Sequence, residues 1–268
     1  MQRPLKSEAL RLFASGLFRL GINGVDKFRI VTFHSIQYHP NDKWHTSPKV
    51  FESQMRFLSD SGYRTCRISD IVDQWPDILR SQEKTVALTF DDGLLNNFTI
   101  VAEILSKFNM RATFFISTEN IGAERTFPVS QGLEYFRDTM MLCWDDIRVM
   151  QRSGFEIGSH AHSHDMIAKM PSQLAHKNIA ASKRVIETEL NTEIVSFAYP
   201  YGHKDAYAKW TGKILRDLGF RAACTQMGGA LTVRNDLFEL PRIGIKGSDS
   251  LDVFKHKVSG AYDFLRWL

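Results

Sequence analysis

Thr85-Val86-Ala87-Leu88-Thr89-Phe90 runs straight into Asp91-Asp92-Gly93. A short apolar, β-branched run that stops at acidic and turn-forming residues reads as a buried parallel strand with chemistry at its C-terminal end. Similar stretches lie on both sides: Arg29–Phe33, Tyr63–Ile68, Ala112–Ser117, Phe155–Gly158, Ile194–Tyr199, Phe220–Thr225 and Pro241–Ile245. Helical spacing fills the intervals. Ser47-Pro48 supplies an N-cap and an N1 proline before a helix that Gly62 ends, and Leu95–Phe108, Asp145–Arg152, Ser172–Leu190 and Ala206–Leu218 carry the same periodicity. Strands alternating with helices predict an α/β fold, a distorted (β/α)7-8 TIM-like barrel forming a single domain over residues 28–268, preceded by an extension, 1–27. Asn120 to Cys143 has no clean period and reads as an inserted loop or lid.

In such barrels the reacting groups sit at the C-terminal ends of the strands. The first strand ends at His34, the third at Asp91-Asp92-Gly93, the fifth at His160, the sixth at Pro200-Tyr201-Gly202, and the last contains Arg242. Two adjacent carboxylates repel each other near a buried strand end unless a cation compensates them, although D-D-G is also N-cap and turn chemistry. Histidines four apart, His160 and His164, can meet one metal on a helix or a tight turn; the alternative is a solvated loop. His162 should point away from its neighbours. Taken together, Asp92, His160 and His164 make three ligands with a position left for water, the pattern of a catalytic zinc site, and Asp91 beside them could act as base on that water. The same donors accept Co2+, Ni2+ or Fe2+.

The chain has 268 residues and a net charge of +4, too small to indicate a nucleic-acid partner. Residues 1–34 carry six basic side chains against Glu8 and Asp26, so this segment accounts for the whole excess. Leu5, Ala9, Leu12, Phe13, Leu17 and Leu20 share one helical face there, opposite Arg11 and Arg19. Such a helix either packs on the domain or, through residues 5–22, rests on an anionic membrane surface. Arg11 and Arg19 interrupt any signal-peptide core. Cys66, Cys143 and Cys224 are odd in number and form no C-x-x-C pair, which fits a reducing compartment. The expected location is cytoplasmic, with peripheral contact at the inner membrane face as its extension.

T-F-D-D-G, then E-I-G-S-H-x-x-x-H, then F-A-Y-P-Y-G resemble the motifs of the polysaccharide deacetylase family, the NodB-homology domain of carbohydrate esterase family 4. The resemblance runs from about Ile30 to Ile245. It implies a distorted barrel and metal-dependent hydrolysis of N-acetyl groups on amino sugars in a polysaccharide, oligosaccharide or lipid-linked glycan. By position it makes Asp91 the base, Asp92, His160 and His164 the metal ligands, and the Tyr201 backbone N–H an oxyanion donor. The sequence departs from the family at three points. Ala161 stands where Ser or Thr usually follows the first histidine. Ala198 stands where an arginine usually pairs with the catalytic aspartate; Arg242 either supplies that cation or is a surface arginine. The usual C-terminal Leu-x-x-His is missing, and His256 is at the wrong offset from Leu251. R-I-V-T-F-H instead resembles the N-terminal motif of a permuted subgroup, the poly-N-acetylglucosamine deacetylases, and that resemblance makes His34 the general acid. An O-acetyl esterase on the same metal site, or a saccharide-binding domain that kept the fold without catalysis, are the alternatives.

Overall fold

The protein is described by a computed structural model covering residues 28–38, 45–122 and 140–260. The strands are β1 (Arg29–Phe33), β2 (Ser35–Ile36), β3 (His45–Thr46), β4 (Arg64–Cys66), β5 (Thr85–Phe90), β6 (Thr113–Ile116), β7 (Glu156–Ser159), β8 (Ser196–Ala198), β9 (Ala222–Cys224) and β10 (Arg242–Gly244). The helices are α1 (Pro48–Asp60), α2 (Ile68–Asp73), α3 (Glu103–Lys107), α4 (Trp144–Arg152), α5 (Ser172–Leu190), α6 (Thr211–Asp217) and α7 (Leu251–Ser259). The main sheet runs β10-β1-β5-β6-β7-β8-β9, every pairing parallel, with β4 added to β5. β4 takes the first half of β5, where Cys66 opposes Ala87, and β6 takes the second, where Thr89 opposes Thr113. One strand therefore serves two neighbours on one edge, and the barrel is distorted there. Between β9 and β10 the circle is drawn together by a bridge of Cys224 to Leu240, with Thr225 N–H donating to the Leu240 carbonyl at 2.8 Å.

Alternation along the strands separates two cores. Val86, Leu88 and Phe90 of β5, Phe114 and Ile116 of β6, and Phe197 of β8 face outward and meet buried helix residues such as Phe51, Met55, Ile147 and Ile179. Ala87, Phe115, Ala198, Ala222 and Cys224 face the barrel axis. The inward set is mostly small because the barrel is narrow. At Gly158 even a methyl group would lie 2.6 Å from the Phe115 ring and from Ser196 Oγ. Phe115 and the wholly buried Arg242, whose guanidinium lies 5.4 Å from the Phe115 ring centre, fill the remaining space.

The expected single domain and barrel are present over the described residues. Helix α1 begins as anticipated, with Ser47 Oγ accepting from Val50 N–H and Pro48 in the first turn. Two helices differ from their apolar spacing. Leu95–Phe108 is a π-helical turn, Asn97–Ala102, followed by the short α3, with the Asn96 and Asn97 side chains turned toward Ser35 and His34. Ala206–Leu218 is helical over Thr211–Asp217 alone: Thr211 Oγ1 accepts from Ala208 N–H, and the Tyr207 ring stacks on Tyr199 at 4.2 Å. The small β2–β3 sheet had no counterpart in the periodicity. The amphipathic segment 1–27 and residues 123–139 of the anticipated lid lie outside the described residues. Among the described residues no helix is long and apolar enough to cross a membrane.

Candidate active site

Strand β5 delivers Asp91 and Asp92 to the rim. Asp91 N–H donates to the Phe33 carbonyl, which ties the end of β5 to the end of β1. Asp92 then takes φ +80°, so two adjacent carboxylates leave the strand end in different directions. Both are buried. Arg242, from β10, which is separated from β5 only by β1, donates Nη1–H and Nη2–H to the two Asp91 oxygens at 2.7 Å each, a planar fork on a planar acceptor. Its Nε–H donates to the Thr225 carbonyl at 3.1 Å, and Nη1–H also reaches Thr89 Oγ1 at 3.2 Å, which fixes the fork. Burial alone would raise the Asp91 carboxyl. Arg242 foremost, with His160 and His34, holds it below the ordinary aspartate range. Arg242 is therefore an interior residue, and the surface-arginine alternative is excluded.

Asp92 faces two imidazoles. Its Oδ1 lies 3.5 Å from His160 Nε2 and 3.2 Å from His164 Nε2. His160 Nδ1 is 2.8 Å from the Ala198 carbonyl, which can only accept, so Nδ1 carries the proton and Nε2 presents a lone pair to the carboxylate. Burial first of all pushes the His160 imidazole down to about 4, so at neutral pH it gains no second proton. A lone pair thus confronts a buried carboxylate oxygen, and Asp92 Oδ1 itself accepts no hydrogen bond. Two donor atoms each about 2.1 Å from one ion in tetrahedral array stand roughly 3.4 Å apart. The observed separations fit, and the three ligand atoms lie within 4.8 Å of one another. The three side chains together could hold a metal ion.

The histidine segment is a tight turn rather than a helix. Ala161 takes φ +65°, Ser117 Oγ–H donates to the His160 carbonyl, and Asn178 Oδ1 accepts from His162 N–H. His162 points away as expected, its Nδ1 2.9 Å from Thr118 Oγ1. Tyr201 takes φ +62° at the end of β8, with its ring 4.9 Å from that of His164. Among the described residues, five non-glycine residues have positive φ; two are the asparagines Asn109 and Asn191 that close helices, and the other three are Asp92, Ala161 and Tyr201. Backbone strain of about 1–3 kcal/mol per residue is concentrated where the candidate chemistry lies. His34 is half-buried at the end of β1 and contributes to holding both aspartates down. His256 is buried on α7. Asn96, Asn97, Asn178 and Thr225 were not singled out by the sequence, since nothing in a lone Asn or Thr marks which distant backbone it binds.

The sequence model of the family described as polysaccharide deacetylase matches residues 79–223, more than half of the chain. The chain belongs to the polysaccharide deacetylase family. It is by that membership a carbohydrate deacetylase, a hydrolase. Among its relatives is YxkH of Bacillus subtilis (strain 168), a presumed polysaccharide deacetylase, 25% identical over 88% of this chain and 76% of that protein. The poly-beta-1,6-N-acetyl-D-glucosamine N-deacetylase of Escherichia coli (strain K12) is 24% identical; the match covers 86% of this chain and 38% of that protein, so the chain spans well under half of its length. The deacetylase PplD of Streptococcus pyogenes, solved with acetate, superposes with a TM-score of 0.73 at 22% identity, over 87% of this chain and 98% of that one, which establishes a common fold. In this deacetylase the matched region includes Asp91, Asp92, His160, His164 and Tyr201, and leaves His34 and Arg242 outside its bounds.

Proposed function

We propose that this deacetylase is metal-dependent and removes N-acetyl groups from amino sugars of a glycan, with Asp92, His160 and His164 as ligands, Asp91 as base, Tyr201 as oxyanion donor, Arg242 as the partner that orients the base, and His34 as acid. The observation that carries the reading is the buried Asp92 Oδ1, without a hydrogen bond, set against the lone pair of His160 and beside a second carboxylate already neutralised by Arg242. When bound, a divalent ion, Zn2+ first among candidates, supplies a Lewis acid that lowers the pKa of water and polarises the acetyl carbonyl.

Asp91 remains ionised at neutral pH and is held by its fork to Arg242, so it accepts the proton of the attacking water without reorienting. The Tyr201 N–H, set by the strained turn after β8, is the donor to the oxyanion that develops. An amine anion cannot leave at neutral pH, so His34 delivers a proton to the sugar nitrogen as the C–N bond breaks. Acetate and the free amino sugar are the products. The E. coli relative, named for poly-beta-1,6-N-acetyl-D-glucosamine, supports an N-acetylglucosamine polymer as the first substrate to try.

The test is acetate release from N-acetylglucosamine oligosaccharides by metal-loaded wild type, Asp91→Asn and His34→Ala. Release that is lost in Asp91→Asn and strongly reduced in His34→Ala supports the reading. Release that survives Asp91→Asn ends it. Release from O-acetylated but not N-acetylated saccharides would make the protein an esterase on the same site, and metal and saccharide binding without release would make it a binding domain.

A further inference from the structure

We infer that Asn97, assisted by Asn96, is the positioning residue for His34, and that the π-helical turn after the aspartate pair exists to aim it. The inference rests on the acid role proposed for His34. Three residues after Gly93 the chain reaches Asn96 and Asn97, both buried. Asn97 Nδ2–H donates to the His34 carbonyl at 3.0 Å and to Asn96 Oδ1 at 3.3 Å. Asn96 Nδ2–H donates to Ser35 Oγ at 2.8 Å, and its Oδ1 accepts from Ile36 N–H at 3.3 Å. Two adjacent amides thus hold three consecutive residues, His34, Ser35 and Ile36, as the chain leaves β1.

The placement is specific. β1 and β5 are already paired up to Phe33 and Phe90, and Asp91 N–H closes the pairing on the Phe33 carbonyl. Beyond Phe33 the sheet gives His34 no ladder to β5, so its backbone is fixed by side chains instead. Those side chains come from the same loop that carries Asp91 and Asp92. The acid and the base are therefore held by one segment, and a shift of one moves the other with it. Asn97 opens the π-helical turn, Asn97–Ala102, and π turns within helices recur at functional sites, where they re-aim a residue at some cost in helix geometry. Neither asparagine is hydrogen-bonded to the three candidate metal ligands, so metal affinity should not depend on them.

A proton donor displaced by about 1 Å loses roughly 100-fold in rate. The cost falls on substrates whose leaving group needs the proton. A nitrophenolate leaves without one. The experiment therefore compares an N-acetylglucosamine oligosaccharide with 4-nitrophenyl acetate on metal-loaded wild type, His34→Ala, Asn97→Ala and Asn97→Asp, the last keeping the shape and losing the donor to the His34 carbonyl. The expected result is that both Asn97 variants lower kcat on the amide 10- to 100-fold with KM within twofold, keep ester hydrolysis within threefold, and bind metal as wild type does, while Asn97→Ser, which keeps a donor, recovers part of the amide rate. Equal loss of amide and ester hydrolysis in Asn97→Ala and Asn97→Asp overturns the inference, because the residue then supports the whole site. Wild-type amide turnover in the Asn97 variants beside a defective His34→Ala overturns the inference and leaves the acid standing. Wild-type amide turnover in His34→Ala removes the acid and the inference together.

Discussion

Arg242 and Asp91 stand 151 residues apart and share two hydrogen bonds of 2.7 Å inside the barrel. The pair is formed past β1, from β10 to the end of β5, while Ala198 stands on β8. Ala198 faces the same interior, and its small side chain leaves that volume to the guanidinium and Phe115. Removing the guanidinium leaves a buried carboxylate unpaired, at a cost of about 3–5 kcal/mol. Arg242→Ala should unfold at markedly lower urea and lose acetate release by at least 100-fold. Arg242→Lys keeps the charge without the fork and should keep most of the stability with a 10- to 100-fold lower kcat. Ala198→Arg placed in Arg242→Ala should restore part of both. Failure of that double variant to exceed Arg242→Ala in either measurement would show the two positions are not interchangeable.

The clustering of His160 and His164 around Asp92 Oδ1 predicts a thermal shift that needs no substrate. A divalent metal at 100-fold above its Kd adds about 2.7 kcal/mol, which for a chain of this size raises Tm by roughly 5–10 °C. Zn2+ titrated into chelator-treated protein should give that shift, and His160→Ala and Asp92→Ala should abolish it. An unchanged Tm in wild type would remove the metal from the proposal.

Glu156 predicts a pH effect at the opposite end of the barrel. Its Oε2 accepts from Ser69 N–H and Thr113 Oγ1–H, and its Oε1 from Ser196 Oγ–H. Burial dominates these bonds and pushes the carboxyl above the ordinary glutamate range. With the folded pKa above the unfolded one, the group's contribution is fully present below the unfolded value and is lost as pH rises through the folded value. Glu156→Gln can keep the carbonyl on Ser69 and Thr113 and turn its amide to Ser196, whose hydroxyl rotates to accept. Urea denaturation should therefore show the variant gaining on wild type as pH rises from 4 to 7. A difference that is flat or of opposite sign across that range would refute the assignment.

Gly158→Ala tests the interior packing. Its methyl group would sit 2.6 Å from Phe115 and Ser196 Oγ. Overpacking of this kind costs about 1–3 kcal/mol. Because the Arg242 guanidinium lies over Phe115, displacement of that ring should also lower deacetylation. A variant of normal Tm and normal turnover would mean that the ring moves freely.

The sequence was readable where one local pattern has one outcome. Apolar β-branched runs such as Val86–Phe90 became strands, and because parallel barrels put loops at strand ends, His34, Asp91, His160 and Tyr201 reached one rim. It was less readable where one pattern has two outcomes. Histidines four apart fit a helix and a turn alike, and Ala161 with φ +65° is a turn that alanine does not announce. Leu95–Phe108 keeps helical spacing through a π turn because one added residue shifts the apolar stripe by little more than a quarter turn. Arg242 had equal readings since its partner is set by the pairing of β10 and β5 to β1, strands far apart in the chain. Asn96 and Asn97 gave no signal at all; their partners lie about 60 residues earlier in the chain.

The filling of the barrel axis by Phe115 and Arg242, above the small side chains of Ala87, Ala222 and Cys224, has a kinetic corollary. Among the described residues the interior beneath Asp91 is filled by wholly buried side chains, so in the proposed reaction acetate and amino sugar leave toward the rim. Whichever product lies deeper must wait for the other to depart. Acetate added to the reaction should therefore slow turnover in a manner set by the order of departure, and that order is written in the plugged interior rather than in any of the residues that make or break bonds.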